Sequence, residues 1–263
     1  MTAVRQVKNA LKETFPGLWL RWHFMHRPKT AEVELSLLDR IVRKDAVTVD
    51  VGANCGLYTR ELARLSRRVH AFEPSQMMAD VLRRTSAANV TVHEVALSDR
   101  EGHAELLIPQ SEQGAVHGLA SLEPQVALSA TSCAVLNVPM ARLDDLIQDD
   151  VAFVKVDVEG HELNVLNGAA GLLERSRPVF LVEAEDRHRP SATESVFEFF
   201  QDRGYSGFFV EDGDIVPIDQ FDVEIFQDPA SLLSNGGRKT GQAYINNFFF
   251  FPSGKDGWEI LAG

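Results

Sequence analysis

The chain has 263 residues, 44% of them hydrophobic, enough to bury one large domain, or one domain with a small appendage. Its 26 basic and 38 acidic residues leave a net charge of −12, which argues against a phosphate-tracking surface and hence against nucleic acid as the partner. Two cysteines, Cys55 and Cys133, have no disulfide or metal spacing, no apolar run approaches the ~18 residues of a membrane span, and no signal-peptide core opens the chain, so a soluble, cytoplasmic protein is expected.

Residues 1–29 stand apart. They hold six Lys or Arg (Arg5, Lys8, Lys12, Arg21, Arg27, Lys29) and one acid, Glu13. Phe15, Trp19 and Trp22 fall on one helical face, interrupted by Pro16-Gly17. This suits a helix packed on the main domain; a lid, a dimer arm or a contact with an anionic surface is the functional alternative. Residues 1–44 are read as an N-terminal helical extension and 45–263 as the main domain.

A helical pattern over 30–43 is followed by alternation. VTVDV (47–51) reads as a strand and 57–66 as a helix; VHAFEP (69–74) and 75–88 repeat the pair. VTVHEVALS (90–98) is a third strand. AELLIP (104–109) and AVLNVPM (134–140) look like strands joined by a Gly- and Ser-containing loop. ARLDDLI (141–147) is a short helix, AFVKVDV (152–158) a buried strand, 160–176 a helix, PVFLVEAE (178–185) a strand, and 195–204 a helix stopping at Gly204. YSGFFV, DIVPI and INNFFFFP close the chain as strands, with turns at Asp212-Gly213 and Gly236-Gly237. Such alternation predicts an open, mostly parallel sheet with helices on both faces, in which ligands bind beyond the carboxyl ends of the strands.

Those ends are acidic or polar. The first carries Asp50 and the turn VGANCG, the second Glu73, the third ALSD. The strand at 152–158 ends in Asp157 and Glu159, the one at 178–185 in Glu183 and Glu185. Gly52 and Gly56 leave a bare backbone for a ligand, and the helix after them aims its free N–H groups at the site. Glu73 lies 23 residues after Asp50, near the ~20-residue offset at which an acid reaches a ribose in dinucleotide folds. A pyrophosphate prefers a third glycine and no anion beside it, whereas an acid at Asp50 suits a cation such as the ammonium or sulfonium of S-adenosylmethionine.

VDVGANCGLYT, AFEPS, ALSD, RLDDLI, KVDVEGHELNVLNGA and NFFFFP occur in this order over residues 45–252. In this the chain resembles the FkbM-type S-adenosylmethionine-dependent methyltransferases. The resemblance implies a Rossmann-like class I methyltransferase fold, with a seven-stranded, mostly parallel sheet whose last strand is antiparallel. It implies methyl transfer to hydroxyl groups on sugars, glycolipids or natural products. It also implies that Asp50, Gly52, Asn54 and Gly56 form the pocket for the cofactor's amino-acid end, that Glu73 holds the ribose, that Ala96, Leu97 and Ser98 flank the adenine, and that Asp157 and Glu159 face the sulfonium and the acceptor. The fourth strand ends in D-V-E-G and not in [DN]-P-P-[YF], so an exocyclic amine is a poor acceptor.

A hydroxyl acceptor needs help losing its proton. Either a base (Asp157, Glu159, Glu183 or a nearby histidine) takes it, or a divalent ion such as Mg²⁺, held by Asp157 and Glu183, acidifies it. Of the single residues, Cys55 reads as a small filler in the glycine loop. His161 reads as a helix-start residue or a base, and His188 as one that could meet the acceptor. His117 and Ser121 belong to a loop that could cover the substrate. Lys155, alone in a buried strand, points to an ion pair with Asp157 or Glu183; Asp144 and Asp145 solvate or cap a short helix. Two other readings stand beside methyl transfer: a nicotinamide-dependent oxidoreductase, and a non-catalytic module binding an adenosine ligand. The partner is a small hydroxyl-bearing molecule, with no nucleic acid and no integral membrane; a homo-oligomer is left open.

Overall fold

The structure is a computed structural model that describes residues 32–111, 114–115, 119–124, 132–232, 239 and 243–263. The aromatic stripe of residues 15–22, His117 and the Gly236-Gly237 turn lie outside the described residues.

Twelve strands and nine α-helices are described. The strands are β1 (Val47–Val51), β2 (Arg68–Phe72), β3 (Val90–His93), β4 (Ala96–Leu97), β5 (Gly102–Ser111), β6 (Gly114–Ala115), β7 (Cys133–Ala141), β8 (Val151–Val156), β9 (Val179–Glu183), β10 (Tyr205–Glu211), β11 (Asp214–Pro217) and β12 (Asn247–Pro252). The helices are α1 (Leu38–Ile41), α2 (Leu57–Leu65), α3 (Gln76–Thr85), α4 (Leu143–Leu146), α5 (Glu162–Asn167), α6 (Ala170–Ser176), α7 (Ala192–Gln201), α8 (Val223–Phe226) and α9 (Gly257–Ala262).

Eight strands form one sheet in the order β11-β10-β12-β9-β8-β1-β2-β3. The β9-β8-β1-β2-β3 block is parallel, and β12 inserts antiparallel between β9 and β10. This is the expected mostly parallel α/β sheet with an antiparallel last strand; β11, the return strand of the Asp212-Gly213 hairpin, adds an eighth at the edge. The rest of the predicted third strand leaves the main sheet: Ala96–Leu97 pair with β7, in a second sheet ordered β4-β7-β5-β6. The single helix expected over 160–176 is two, α5 and α6, broken at Gly168-Ala169. A side chain on Gly168 would put its Cβ 2.0 Å from the Ser98 carbonyl oxygen, so the break sits where the chain approaches the backbone just after β4.

Both faces of the main sheet are buried, which is why its strands read as unbroken apolar runs. In β12 the alternation splits four phenylalanines: Phe248 and Phe250 enter the core under α5, α6 and α7, while Phe249 and Phe251 enter the core under α1, α2 and α9. Leu37, Leu38 and Val42, just before β1, belong to that second core.

Candidate active site

The turn after β1 explains its own composition. Gly52 (φ 75°), Asn54 (φ 48°) and Gly56 (φ 90°) are all left-handed, a conformation cheap for glycine and tolerated by asparagine. Gly52 also sits where no side chain fits, since a Cβ there would lie 1.8 Å from the Asp157 carbonyl oxygen. The amides of Gly52 and Ala53 donate to the Phe72 carbonyl at the end of β2, both at 3.0 Å. Glu73 then closes the loop: its carboxylate accepts from the amide of Asn54 (2.8 Å) and from the amide of Ser75 (2.8 Å). Burial pushes the Glu73 carboxyl up to about 7, against the pull of those two amides. Asp50 is buried on the α2 side and accepts from the Thr59 hydroxyl at 2.5 Å; burial raises its carboxyl to about 6.

Strand register builds the second half of the site. Asp50, Lys155, Leu181 and Phe249 stand in one row across β1, β8, β9 and β12. Two residues further along, the same face carries Asp157, Glu183 and Asn247. The Lys155 ammonium, 1% exposed, lies 3.8 Å from Asp157 Oδ2 and 3.9 Å from Glu183 Oε2, and donates to Asn247 Oδ1 at 3.1 Å. The Tyr58 ring lies 5.1 Å from it. Burial by itself would lower the lysine, but Asp157 and Glu183 outweigh it and hold the ammonium charged. Burial and the neighbouring Asp157 hold Glu183 well above the usual carboxylate range.

Beyond this lies a further ring of acids. Asn246 donates to Glu183 Oε1 and to Glu185 Oε1, both at 2.6 Å, and the Tyr244 hydroxyl donates to Glu185 Oε2 at 2.6 Å. Arg187 bonds the same carboxylate. Glu159 Oε2 lies 2.7 Å from His188 Nε2.

An open crevice runs along the ends of β1, β2 and β8. Gly52, Asn54, Glu73, Asp157 and Glu159 line one side, and Phe72, Val95, Leu97 and Leu106 give it apolar walls. Residues 119–124 roof it. The Ser121 hydroxyl donates to the Glu159 carbonyl at 2.6 Å, and Glu123 Oε1 lies 2.7 Å from His161 Nδ1. His161 Nε2 lies 3.0 Å from the Ser98 hydroxyl.

The Methyltransferase FkbM domain model matches residues 50–206, more than half of the chain. The chain belongs to the FkbM methyltransferase family. Among solved structures it is similar to the methyltransferase FkbM from Methylobacillus flagellatus KT, at 17% identity and TM-score 0.50, over 79% of this chain and 44% of that one. It thus spans less than half the length of that relative, and the likeness is one of fold. It is also similar to an rRNA methylase from Streptococcus thermophilus (11% identity, 84% and 95% covered, TM-score 0.47). A third likeness is to a SAM-dependent O-methyltransferase from Thermotoga maritima (13% identity, 87% and 67% covered, TM-score 0.44). No curated protein matches the chain.

In this chain the structure brings Asp50, Gly52, Asn54, Gly56, Glu73, Asp157, Glu159 and Glu183 to neighbouring strand ends. Ala96 and Leu97 line the crevice, while Ser98 is fully buried and bonds His161. His161 is not a free base, because both ring nitrogens are engaged. Lys155 makes the pair its lone place in the strand pointed to. Asp144 caps a helix other than its own: it accepts from the amides of Gly171 (2.9 Å) and Leu172 (2.7 Å) at the start of α6.

Sequence reasoning missed Glu123, Tyr244, Asn246 and Asn247, whose partners are remote in the chain. One signal was present, the polar pair Asn246-Asn247 opening an otherwise apolar strand. The divalent site weighed as an alternative to a base is a poor fit. Ligand atoms of Asp157, Glu159 and Glu183 lie within 4.8 Å of one another, but the Lys155 ammonium already neutralises two of the three, and a dication there would face a resident cation. Among the described residues no helix is long and apolar enough to cross a membrane.

Proposed function

We infer that this FkbM methyltransferase transfers a methyl group from S-adenosylmethionine to a hydroxyl of a small sugar-containing or natural-product acceptor. The observation that carries the reading is the joining of the Gly52–Gly56 turn to Glu73. A bare, left-handed backbone and a buried carboxylate border one crevice with apolar walls, which suits an adenosyl group. Each Glu73 oxygen accepts one backbone amide and keeps a lone pair for a ribose hydroxyl. The acids that line the crevice, Glu73, Asp157 and Glu159, favour a cationic ligand over a pyrophosphate, which speaks for a sulfonium and against a nicotinamide cofactor.

When bound, the sulfonium supplies an electrophilic methyl group. The chain's own part is alignment and charge. Asp157 and Glu183, at the ends of adjacent strands, border the acceptor side, and Lys155 fixes both from beneath. The crevice's acidity disfavours a polyanionic acceptor, so a small neutral molecule is proposed over a nucleic acid, acting in the cytoplasm.

Calorimetry with S-adenosylhomocysteine, followed by a mass-shift screen of hydroxylated acceptors for a gain of one CH₂, tests the reading. Binding of NAD with no binding of S-adenosylhomocysteine would sink it, as would full affinity in Glu73→Ala. Turnover unchanged in excess EDTA is expected.

A further inference from the structure

Methyl transfer to a hydroxyl leaves one task unassigned, the destination of the hydroxyl proton. Most titratable groups at the ends of β8 and β9 and beside the crevice are already committed. Asp157 and Glu183 share Lys155. Both oxygens of Glu185 are taken by Asn246, Tyr244 and Arg187. Both nitrogens of His161 are taken by Ser98 and Glu123.

Glu159 and His188 differ. Glu159 Oε2 and His188 Nε2 are 2.7 Å apart, an ion-pair distance, and both are out of reach of water; neither atom has a contact that meets hydrogen-bond geometry among the described residues, and His188 Nε2 lies 3.8 Å from Glu185 Oε2. The turn that carries Glu159 is built for this contact. Glu159 is left-handed (φ 52°), a costly state for a residue with a side chain, and Gly160 follows at φ 102°. A Cβ on Gly160 would stand 3.0 Å from the His188 Cβ and 3.3 Å from Glu123 Cγ, so glycine is what admits the histidine. Glu162 accepts from the Gly160 amide at 2.8 Å and braces the turn from α5. The D-V-E-G-H-E run thus places one carboxylate against one imidazole of the loop after β9.

We propose that His188, oriented by Glu159, is the base that takes the acceptor's hydroxyl proton through its second ring nitrogen, Nδ1. This assignment rests on the methyl-transfer reading above. As the new O–C bond forms and the S–C bond breaks, the proton passes to Nδ1; the cofactor leaves as a neutral thioether and the imidazolium is balanced by Glu159. The charged groups facing the ring are Glu159 and Asp157 from the turn after β8, Glu162 from α5, and Glu185 and Arg187 from its own loop. Burial opposes its charge, and Glu159 with Glu185 overcomes that, raising the histidine above its ordinary 6.5.

The test uses the full chain labelled with ¹⁵N-histidine and titrated by NMR, alone and with S-adenosylhomocysteine. Neutral His188 should carry its proton on Nε2 and titrate above 6.5, and Glu159→Gln should lower that midpoint by about one unit. A proton on Nδ1 in the neutral ring, or a midpoint indifferent to Glu159→Gln, overturns the assignment. In parallel, methyl transfer from labelled S-adenosylmethionine to a panel of methyl glycosides is followed. His188→Asn should lose at least ~100-fold in kcat while S-adenosylhomocysteine affinity stays within about threefold, and imidazole should partly rescue His188→Gly. Retained kcat in His188→Asn overturns the proposal; the NMR arm decides it whether or not a methyl glycoside is turned over. A chain that binds no S-adenosylhomocysteine defeats the methyl-transfer reading instead.

Discussion

The two halves of the strand-end site hold their carboxylates in different ways. On the β1–β2 side, Asp50 finds Thr59 nine residues on, and Glu73 finds Asn54 and Ser75, 19 and two residues away. On the β8–β9 side, Glu185 is held by Tyr244 and Asn246 from 59 and 61 residues away, and Lys155 by Asn247 from 92. The first half is a local device, a loop that folds onto its own strand ends. The second adds to near contacts, Arg187 on Glu185 and Lys155 beside Asp157, a set of partners that arrive only once β12 has inserted between β9 and β10. Carboxylates of equal burial can therefore depend on very different parts of the chain.

Removing the cation from the distant network should have the largest effect. Lys155→Met leaves Asp157 and Glu183 buried without their partner and should cost about 3–5 kcal/mol at pH 8, read as a drop in the urea midpoint. A variant as stable as the parent would show that the acids discharge by taking protons, and would weaken the contrast between the halves.

The local half is addressed next, through pH. The Glu73 carboxyl stands at about 7 in the folded chain against an ordinary 4.5, so the folded state holds the extra proton between those values. Stability should then fall as pH rises from about 4.5 to about 7 and level off above, by ~3 kcal/mol from this residue. Glu73→Gln should remove that part of the slope in denaturation curves taken across the window. Binding of S-adenosylhomocysteine should strengthen over the same window, as the carboxylate becomes a full acceptor.

A smaller change tests one strand of the network alone. Tyr244→Phe removes a 2.6 Å hydrogen bond to Glu185 and should cost about 1.5–3 kcal/mol by thermal or chemical denaturation. The smallest effect is expected at Cys55, a half-buried filler in the glycine turn. Cys55→Ala should change stability by no more than ~0.5 kcal/mol and leave S-adenosylhomocysteine affinity within about twofold.

The same contrast explains what was legible beforehand. The turn VGANCG could be read because much of its constraint is local: three left-handed positions favour Gly, Asn and Gly. Asp50, Glu73, Asp157, Glu159 and Glu183 could be placed together because parallel strands bring their carboxyl ends to one edge. Glu123 could not be read, because its partner His161 is reached only when residues 119–124 fold over the crevice. Ser98 was expected beside a ligand and lies instead one layer down, because Ala96–Leu97 leave the main sheet for the second one. The break at Gly168 was likewise invisible, since a carbonyl 70 residues earlier sets it.

By itself, then, the order of apolar runs, turns and acids determined an α/β sheet, its crevice and the family's motifs, since strand alternation and backbone conformation depend on near neighbours. Tertiary structure decided which acids are paired, by what, and which pair is left to act. Hydrogen bonds and charges work over a few ångströms, and only the folded sheet brings residues dozens of positions apart within that reach.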